Sequence, residues 1–201
     1  MRRVTIVPTG TANTASVVAA LTRLGAEVGM ATPRDVDSSA GVVLPGVGSF
    51  GAAMGRIDSL GLATALGERI EAGRPTLAVC VGMQVLGRGS EESPGSAGLN
   101  LLEATVGRFP HGVTVPQMGW NRVEPGPDSR FVEAGWAYFA NSYRIERAPE
   151  GWVGSRTDHG GEFLSALEKG DVLACQFHPE LSGQWGARLL DRWLRCVEMA
   201  A

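Results

Sequence analysis

Thr76-Leu77-Ala78-Val79-Cys80-Val81-Gly82-Met83-Gln84 is the stretch on which the reading of this chain turns. An apolar run halts at a cysteine, and a glycine follows two residues later. A buried strand that turns sharply into a helix has this pattern, with small residues, here Ala78 and Gly82, on either side of the turn. Such an elbow exposes the side chain at its apex and leaves the first helical N–H groups free beside it. The positive end of the helix dipole then faces the sulfur, and the thiolate is the nucleophilic form of cysteine.

The pattern around this stretch repeats upstream. Val4–Val7 and Val42–Leu44 read as buried strands and Glu27–Met30 as a short one. Thr14–Leu24 carries Val17, Val18, Leu21 and Leu24 at helical spacing and ends at Gly25, and further helical patterns run over Ala52–Leu60 and Leu62–Ala72. A helix is expected from about Gly82. Strands alternating with helices imply a parallel sheet covered on both faces. From about Leu99 the rhythm shortens to strand candidates at Gly112–Val115, Ala137–Phe139, Trp152–Ser155, Phe163–Leu167 and Val172–Phe177, expected to add antiparallel strands. Gln184–Glu198 reads as a closing helix, and Gly89–Gly98 as a surface loop rather than a boundary. One domain over residues 1–201 is expected.

The second informative stretch is Gln176-Phe177-His178-Pro179-Glu180, where another apolar strand runs into a histidine and a carboxylate. Cys80, His178 and Glu180 supply a nucleophile, a base and an orienter, the parts of a nucleophilic triad. Cys175 and Cys196 lie in apolar runs without an elbow and read as inert core thiols. A third stretch, Pro45-Gly46-Val47-Gly48, follows a strand; taken alone it is equally a plain turn between strand and helix. Attack by a thiolate on an acyl carbon calls for backbone N–H donors to the developing oxyanion. Val81, which follows the nucleophile, is one candidate, and Val47 or Gly48 offers the other.

Composition narrows the function classes. A formal net charge of −3 with no clustered basic face gives no reason to expect nucleic acid binding. Three widely spaced cysteines suit a reducing cytoplasm rather than a disulfide framework. No apolar run approaches the ~20 residues of a membrane span, and the N-terminus reads as too short in apolar residues for a signal peptide. The isolated histidines His111, His159 and His178 and the cysteine spacing give no zinc site, and no cofactor is expected.

Together these motifs resemble the class I, triad-type glutamine amidotransferases. Gln117-Met118-Gly119-Trp120-Asn121 and Tyr138-Phe139-Ala140-Asn141-Ser142-Tyr143 narrow the resemblance to the glutaminase subunits of imidazole glycerol phosphate synthase, an enzyme of histidine biosynthesis. The resemblance covers essentially the whole chain. It implies a flavodoxin-like, doubly wound fold, glutamine as substrate, and an obligate (β/α)₈ cyclase partner that uses the ammonia on a phosphoribosyl formimino nucleotide. It also implies that Gly46, Gln84, Asn141, Ser142 and Tyr143 hold the glutamine, that Asn13, Trp120 and Leu181 face the cyclase, and that the Pro45–Gly48 peptide is misaligned until the partner binds its ligand. Gln117 and Asn141 stand where the family commonly has histidine, Leu181 where it has a basic residue, and Ala78 where it has glycine. Another amidotransferase subunit, a γ-glutamyl hydrolase, or a non-catalytic assembly subunit is the competing reading. The two segments just quoted argue against the first two, and the intact Cys80, His178 and Glu180 against the last.

Overall fold

The computed structural model describes residues 1–10 and 14–201. Its centre is a seven-stranded sheet in which β1 (Arg3–Ile6), β2 (Glu27–Met30), β3 (Gly41–Leu44), β4 (Thr76–Val79) and β12 (Val172–Cys175) run parallel, in the spatial order β2-β1-β3-β4-β12. That is the order of a flavodoxin-like doubly wound sheet, whose ligands bind beyond the carboxyl ends of the strands. β11 (Glu162–Lys169) continues the sheet antiparallel to β12, and β10 (Val153–Asp158) closes it antiparallel to β11. The strands β3, β4 and β12 are buried at every position. Their Val, Leu and Ala runs have no polar face because helices cover both sides of a parallel sheet.

The helices are α1 (Thr14–Arg23), α2 (Pro33–Ser38), α3 (Phe50–Ser59), α4 (Ala63–Glu71), α5 (Val81–Gln84) and α6 (Gly183–Met199). The closing helix α6 buries Trp185, Leu189, Leu190, Trp193, Leu194 and Val197 as one stripe, and a single 3₁₀ turn, Pro179–Leu181, leads into it. Arg2, just before β1, pairs with Asp191 and Glu198 on α6 and so ties the two ends of the chain together.

Smaller strands lie above the carboxyl edge. β5 (Gly89–Ser90), β6 (Thr105–Arg108) and β9 (Tyr143–Arg144) form one group, and β7 (Gln117–Val123) with β8 (Gly135–Asn141) forms an antiparallel ribbon. The helix expected from about Gly82 is present as the short α5, Val81–Gln84. Two expectations are corrected. Gly112–Val115 is not a strand; the strand begins at Gln117, past Pro116, whose ring removes the N–H a ladder needs. The Gly89–Gly98 loop contains the short strand β5, paired with β6. Among the described residues, no helix is long and apolar enough to cross a membrane.

Candidate active site

Three strand ends meet at the carboxyl edge of the sheet: those of β3, β4 and β12. The elbow after β4 is as sharp as its sequence demands. Cys80 has φ 55° and ψ −113°, an unfavourable conformation for a residue with a Cβ, and it is the N-cap of α5. Its own N–H is anchored on the carbonyl of Cys175 at 2.7 Å, while its carbonyl accepts from Met83 and Gln84 at 3.0 and 3.2 Å. Gly82 is required, since a Cβ there would run into the carbonyl oxygen of Leu44. Gly46 is required as well, because a Cβ would come within 2.5 Å of Gly82 N. The first strand-end loop is therefore seated directly on the elbow.

The turn after β12 brings in the other two groups. His178 Nδ1 lies 2.9 Å from Glu180 Oε1, and both side chains are almost fully buried. A carboxylate can only accept, so Nδ1 carries the proton and Nε2 is left for the sulfur. Burial disfavours the imidazolium, but hydrogen bonding to Cys80 and Glu180, and their negative charges, outweigh it and raise the His178 pKa to about 10. Ser182 fixes the turn: its hydroxyl donates to the His178 carbonyl at 2.6 Å and accepts from Tyr138 N at 3.0 Å. The His178 N–H in turn donates to the Tyr138 carbonyl at 2.8 Å. Full burial, helped by Glu168 and Glu180, pushes the Cys175 thiol well above the ordinary range.

A cavity of about 260 Å³ opens on the sulfur and is lined by Cys80, Val47, Gly48, Val81, Gln84, Asn141, Ser142, Tyr143 and His178, together with Glu92 and Ala140. Most of the residues expected to bind substrate or oxyanion therefore share one space. Gln84 and Asn141 both donate to the Tyr143 carbonyl, at 3.3 and 3.0 Å, and Asn141 Oδ1 is buried without a protein partner. Gly46 lines a different cavity of about 210 Å³, which shares Val47, Ala140 and His178 with the first and is bordered by Ser16 and Leu181. The Val81 N–H, expected to face an oxyanion, instead donates to the Gly46 carbonyl at 3.3 Å. The loop that carries one expected donor is occupying the other.

Several residues at the site were not picked out from the sequence. Gln176 reaches Cys80 Sγ with its amide nitrogen at 3.7 Å and sat unremarked inside a quoted motif, and Ser182 lies two residues past the end of that motif. Glu92 comes from the Gly/Ser-rich loop, where nothing in the sequence marked it. Its carboxylate accepts from Phe50 N at 2.7 Å, at the start of α3, where free N–H groups and the helix dipole hold an anion.

The ribbon β7–β8 presents a one-sided apolar face. Met118 stands opposite Ala140, Trp120 opposite Tyr138 and Arg122 opposite Trp136. Trp120 is 56% exposed and Trp136 57%, with Met118 more exposed still; Leu181 is 44% exposed. Trp120 is thus a surface residue, not part of the core. It stacks edge-on to Tyr138, whose backbone holds His178. Alternation along the ribbon implied this face, but only Trp120 had been singled out. Asn13 lies outside the described residues.

Comparison with known proteins agrees with this geometry. The model of the family "Glutamine amidotransferase class-I" matches residues 6–195. The chain belongs to the class I glutamine amidotransferases. Within them it falls among the HisH subunits of imidazole glycerol phosphate synthase. It is 41% identical to that subunit from Symbiobacterium thermophilum, over 98% of this chain and 95% of the relative. It is also 38% identical to "Imidazole glycerol phosphate synthase hisHF, chloroplastic" of Arabidopsis thaliana, over 95% of this chain but 34% of the plant protein. A crystal structure of a glutamine amidotransferase superposes with a TM-score of 0.76, covering 96% of this chain and 98% of the other; at 22% identity it supports the fold alone.

Proposed function

We propose that this chain, acting as one domain over residues 1–201, hydrolyses glutamine through a Cys80–His178–Glu180 triad and delivers the ammonia to a cyclase partner in histidine biosynthesis. The observation that carries this reading is the 2.9 Å His178–Glu180 pair beside a buried cysteine held in an elbow at φ 55°. A thiolate–imidazolium couple there has the parts that acyl transfer needs.

The steps follow from the positions. The Cys80 thiolate attacks the side-chain amide carbon of glutamine, and the carbonyl oxygen becomes the oxyanion. His178, protonated and oriented by Glu180, gives its proton to the departing nitrogen, so ammonia leaves and a γ-glutamyl thioester remains. Neutral His178 then takes a proton from water, which attacks the thioester; glutamate departs and the thiolate is regained. Gln84, the Asn141–Tyr143 segment and the free Asn141 Oδ1 receive the amino-acid end. The carboxylate of Glu92 is placed to meet the substrate ammonium.

The oxyanion donors are to be Val81 and a peptide N–H of Val47 or Gly48. Val81 is committed to the Gly46 carbonyl, so turning the Gly46–Val47 peptide would release it and could aim the Val47 N–H inward in the same motion. Gly48, at φ 92°, gives the loop the freedom to do so. A loop with two settings allows the partner to gate the reaction by favouring one of them.

The partner would dock on the ribbon face. Met118, Trp120 and Trp136 form an apolar exposed surface beside the triad, and Leu181 borders both that surface and the second cavity, which offers ammonia a path. The plant relative, of which this chain matches about a third, supports a partner that can be carried on the same polypeptide. Three free, buried cysteines suit the cytoplasm. The test is the Cys80→Ala variant assembled with the cognate cyclase. We expect it to make no product from glutamine and to keep making product from added ammonia. Glutamine-dependent turnover by Cys80→Ala would overturn the assignment.

A further inference from the structure

Gln176 is fully buried one residue past the end of β12, on the segment that delivers His178, and its amide is bonded at both ends. The nitrogen donates to Cys80 Sγ at 3.7 Å, and the oxygen accepts from Gln84 Nε2 at 2.9 Å. The orientation of this amide is fixed by its neighbours. The Tyr143 carbonyl can only accept, so the group Gln84 turns toward it, at 3.3 Å, is its NH₂. The second N–H of that NH₂ then meets the Gln176 oxygen, which leaves the Gln176 NH₂ facing the sulfur. A carbonyl at one end of the chain thereby decides that a donor, not an acceptor, stands at the other.

We propose that Gln176 is a positioning residue for the reaction: it donates to the Cys80 sulfur a hydrogen bond whose proton is not transferred, and Gln84 holds it in that pose. The inference rests on Cys80 being the nucleophile, as proposed above. His178 must give up its proton to the leaving nitrogen, so it cannot stabilise the thiolate throughout the cycle. An amide N–H keeps its proton at every step and favours the thiolate each time it is regenerated. Because Gln84 also lines the substrate cavity, the residue that meets glutamine is the one that aims the sulfur's donor.

The other titratable groups around Cys80 are His178 and Glu180 from the turn after β12, Glu92 from the loop after β5, and Tyr143 from β9. All of them are retained in the variants that test the proposal. Gln176→Met keeps the bulk and loses the donor. Gln176→Glu keeps an acceptor for Gln84 and puts a carboxylate beside the sulfur. Carbamidomethylation of Cys80 by iodoacetamide, followed across pH on the full chain by mass of the Cys80 peptide, reads the thiolate directly. Hydrogen bonds to charged groups are worth enough to move such a profile by about one pH unit. We expect that upward shift in Gln176→Met and a larger one in Gln176→Glu, with kcat lower by roughly 10-fold and KM for glutamine within about 2-fold. Gln84→Met should shift the profile the same way while also raising KM, and it carries the test if the Gln176 variants do not fold. Unchanged profiles in the folded variants, with Cys80→Ala inactive, would leave Gln176 as space-filling and overturn the proposal. Glutaminase activity surviving in Cys80→Ala would instead remove the nucleophile reading, and this one with it.

Discussion

The turn after β12 and the loop after β3 both end strands at the same site, yet they are held in opposite ways. In the turn, His178 is held on three sides, with Glu180 Oε1 on Nδ1, Tyr138 on the backbone N–H and Ser182 on the carbonyl, and only Glu180 Oε2 is buried without a partner. In the loop, Gly46 spends its carbonyl on Val81, the very N–H expected to face the oxyanion. The difference separates two requirements of acyl transfer. The means of making and protonating around a thiolate are assembled, whereas the means of stabilising the oxyanion are half-assembled. On the proposed function, a site built in that way is ready but idle, and whatever turns the loop would control the rate.

The sharpest way to break this comparison is to remove the finished half. His178→Ala should lower glutaminase activity at least ~10²-fold, the usual contribution of a positioned acid and base, and Glu180→Gln should cost less because the imidazole remains. Steady-state rates in the complex measure both. A smaller loss for His178→Ala than for Glu180→Gln would show that the turn is not the working half.

On the proposed function, the unfinished half depends on the partner, and so on the ribbon face. Trp120→Ala should weaken cyclase binding by about 1–4 kcal/mol, the range of a buried interfacial anchor, and should lower the stimulated rate more than the basal one. Titration calorimetry gives the first and ammonia release the second. Because Trp120 is 56% exposed in the chain alone, its thermal stability should hardly change. Unfolding of the variant would contradict the surface reading.

Ser182→Ala sharpens the comparison from the other side. It removes the hydroxyl that joins His178 to Tyr138 and should cost about 1–3 kcal/mol of stability by leaving buried partners unmatched. Denaturant unfolding measures it, and a neutral result would mean the turn is held by its backbone alone.

A separate effect lies in the pH dependence of stability. The folded-state pKa of His178 is raised from 6.5 to about 10. A raised value means that the folded protein holds the proton more tightly, so the stabilisation is complete below about 6.5 and fades as pH climbs toward 10. The difference in melting temperature between the wild type and His178→Asn should shrink over that window. A difference that grows with pH would reverse the assigned sign.

What could be read in the sequence divides along the same boundary as the fold. The parallel half was legible because strands buried on both faces become unbroken apolar runs, and β4 was placed at its observed ends and β3 at its observed C-terminal end. Above the sheet, β7 was missed and Gly112–Val115 misread, since the alternation of Met118 and Trp120 with Gly119 and Asn121 is short and was read as a motif rather than as a strand. The Cys80 elbow and the His178–Glu180 pair were legible because both are local patterns. Glu92 was not, because its place depends on a loop reaching the start of α3 42 residues earlier in the chain. Nor was the Gly46–Val81 bond, a backbone contact between the ends of two different strands.

The central claim is that the triad is complete while the oxyanion site waits on the loop. Glutamate formation by the isolated chain, measured against the same chain saturated with its cyclase and the cyclase's nucleotide ligand, tests it most directly. One missing oxyanion donor is worth roughly 10²–10³-fold in rate. The account predicts stimulation on that order, abolished in Cys80→Ala. Equal rates with and without the partner would contradict it.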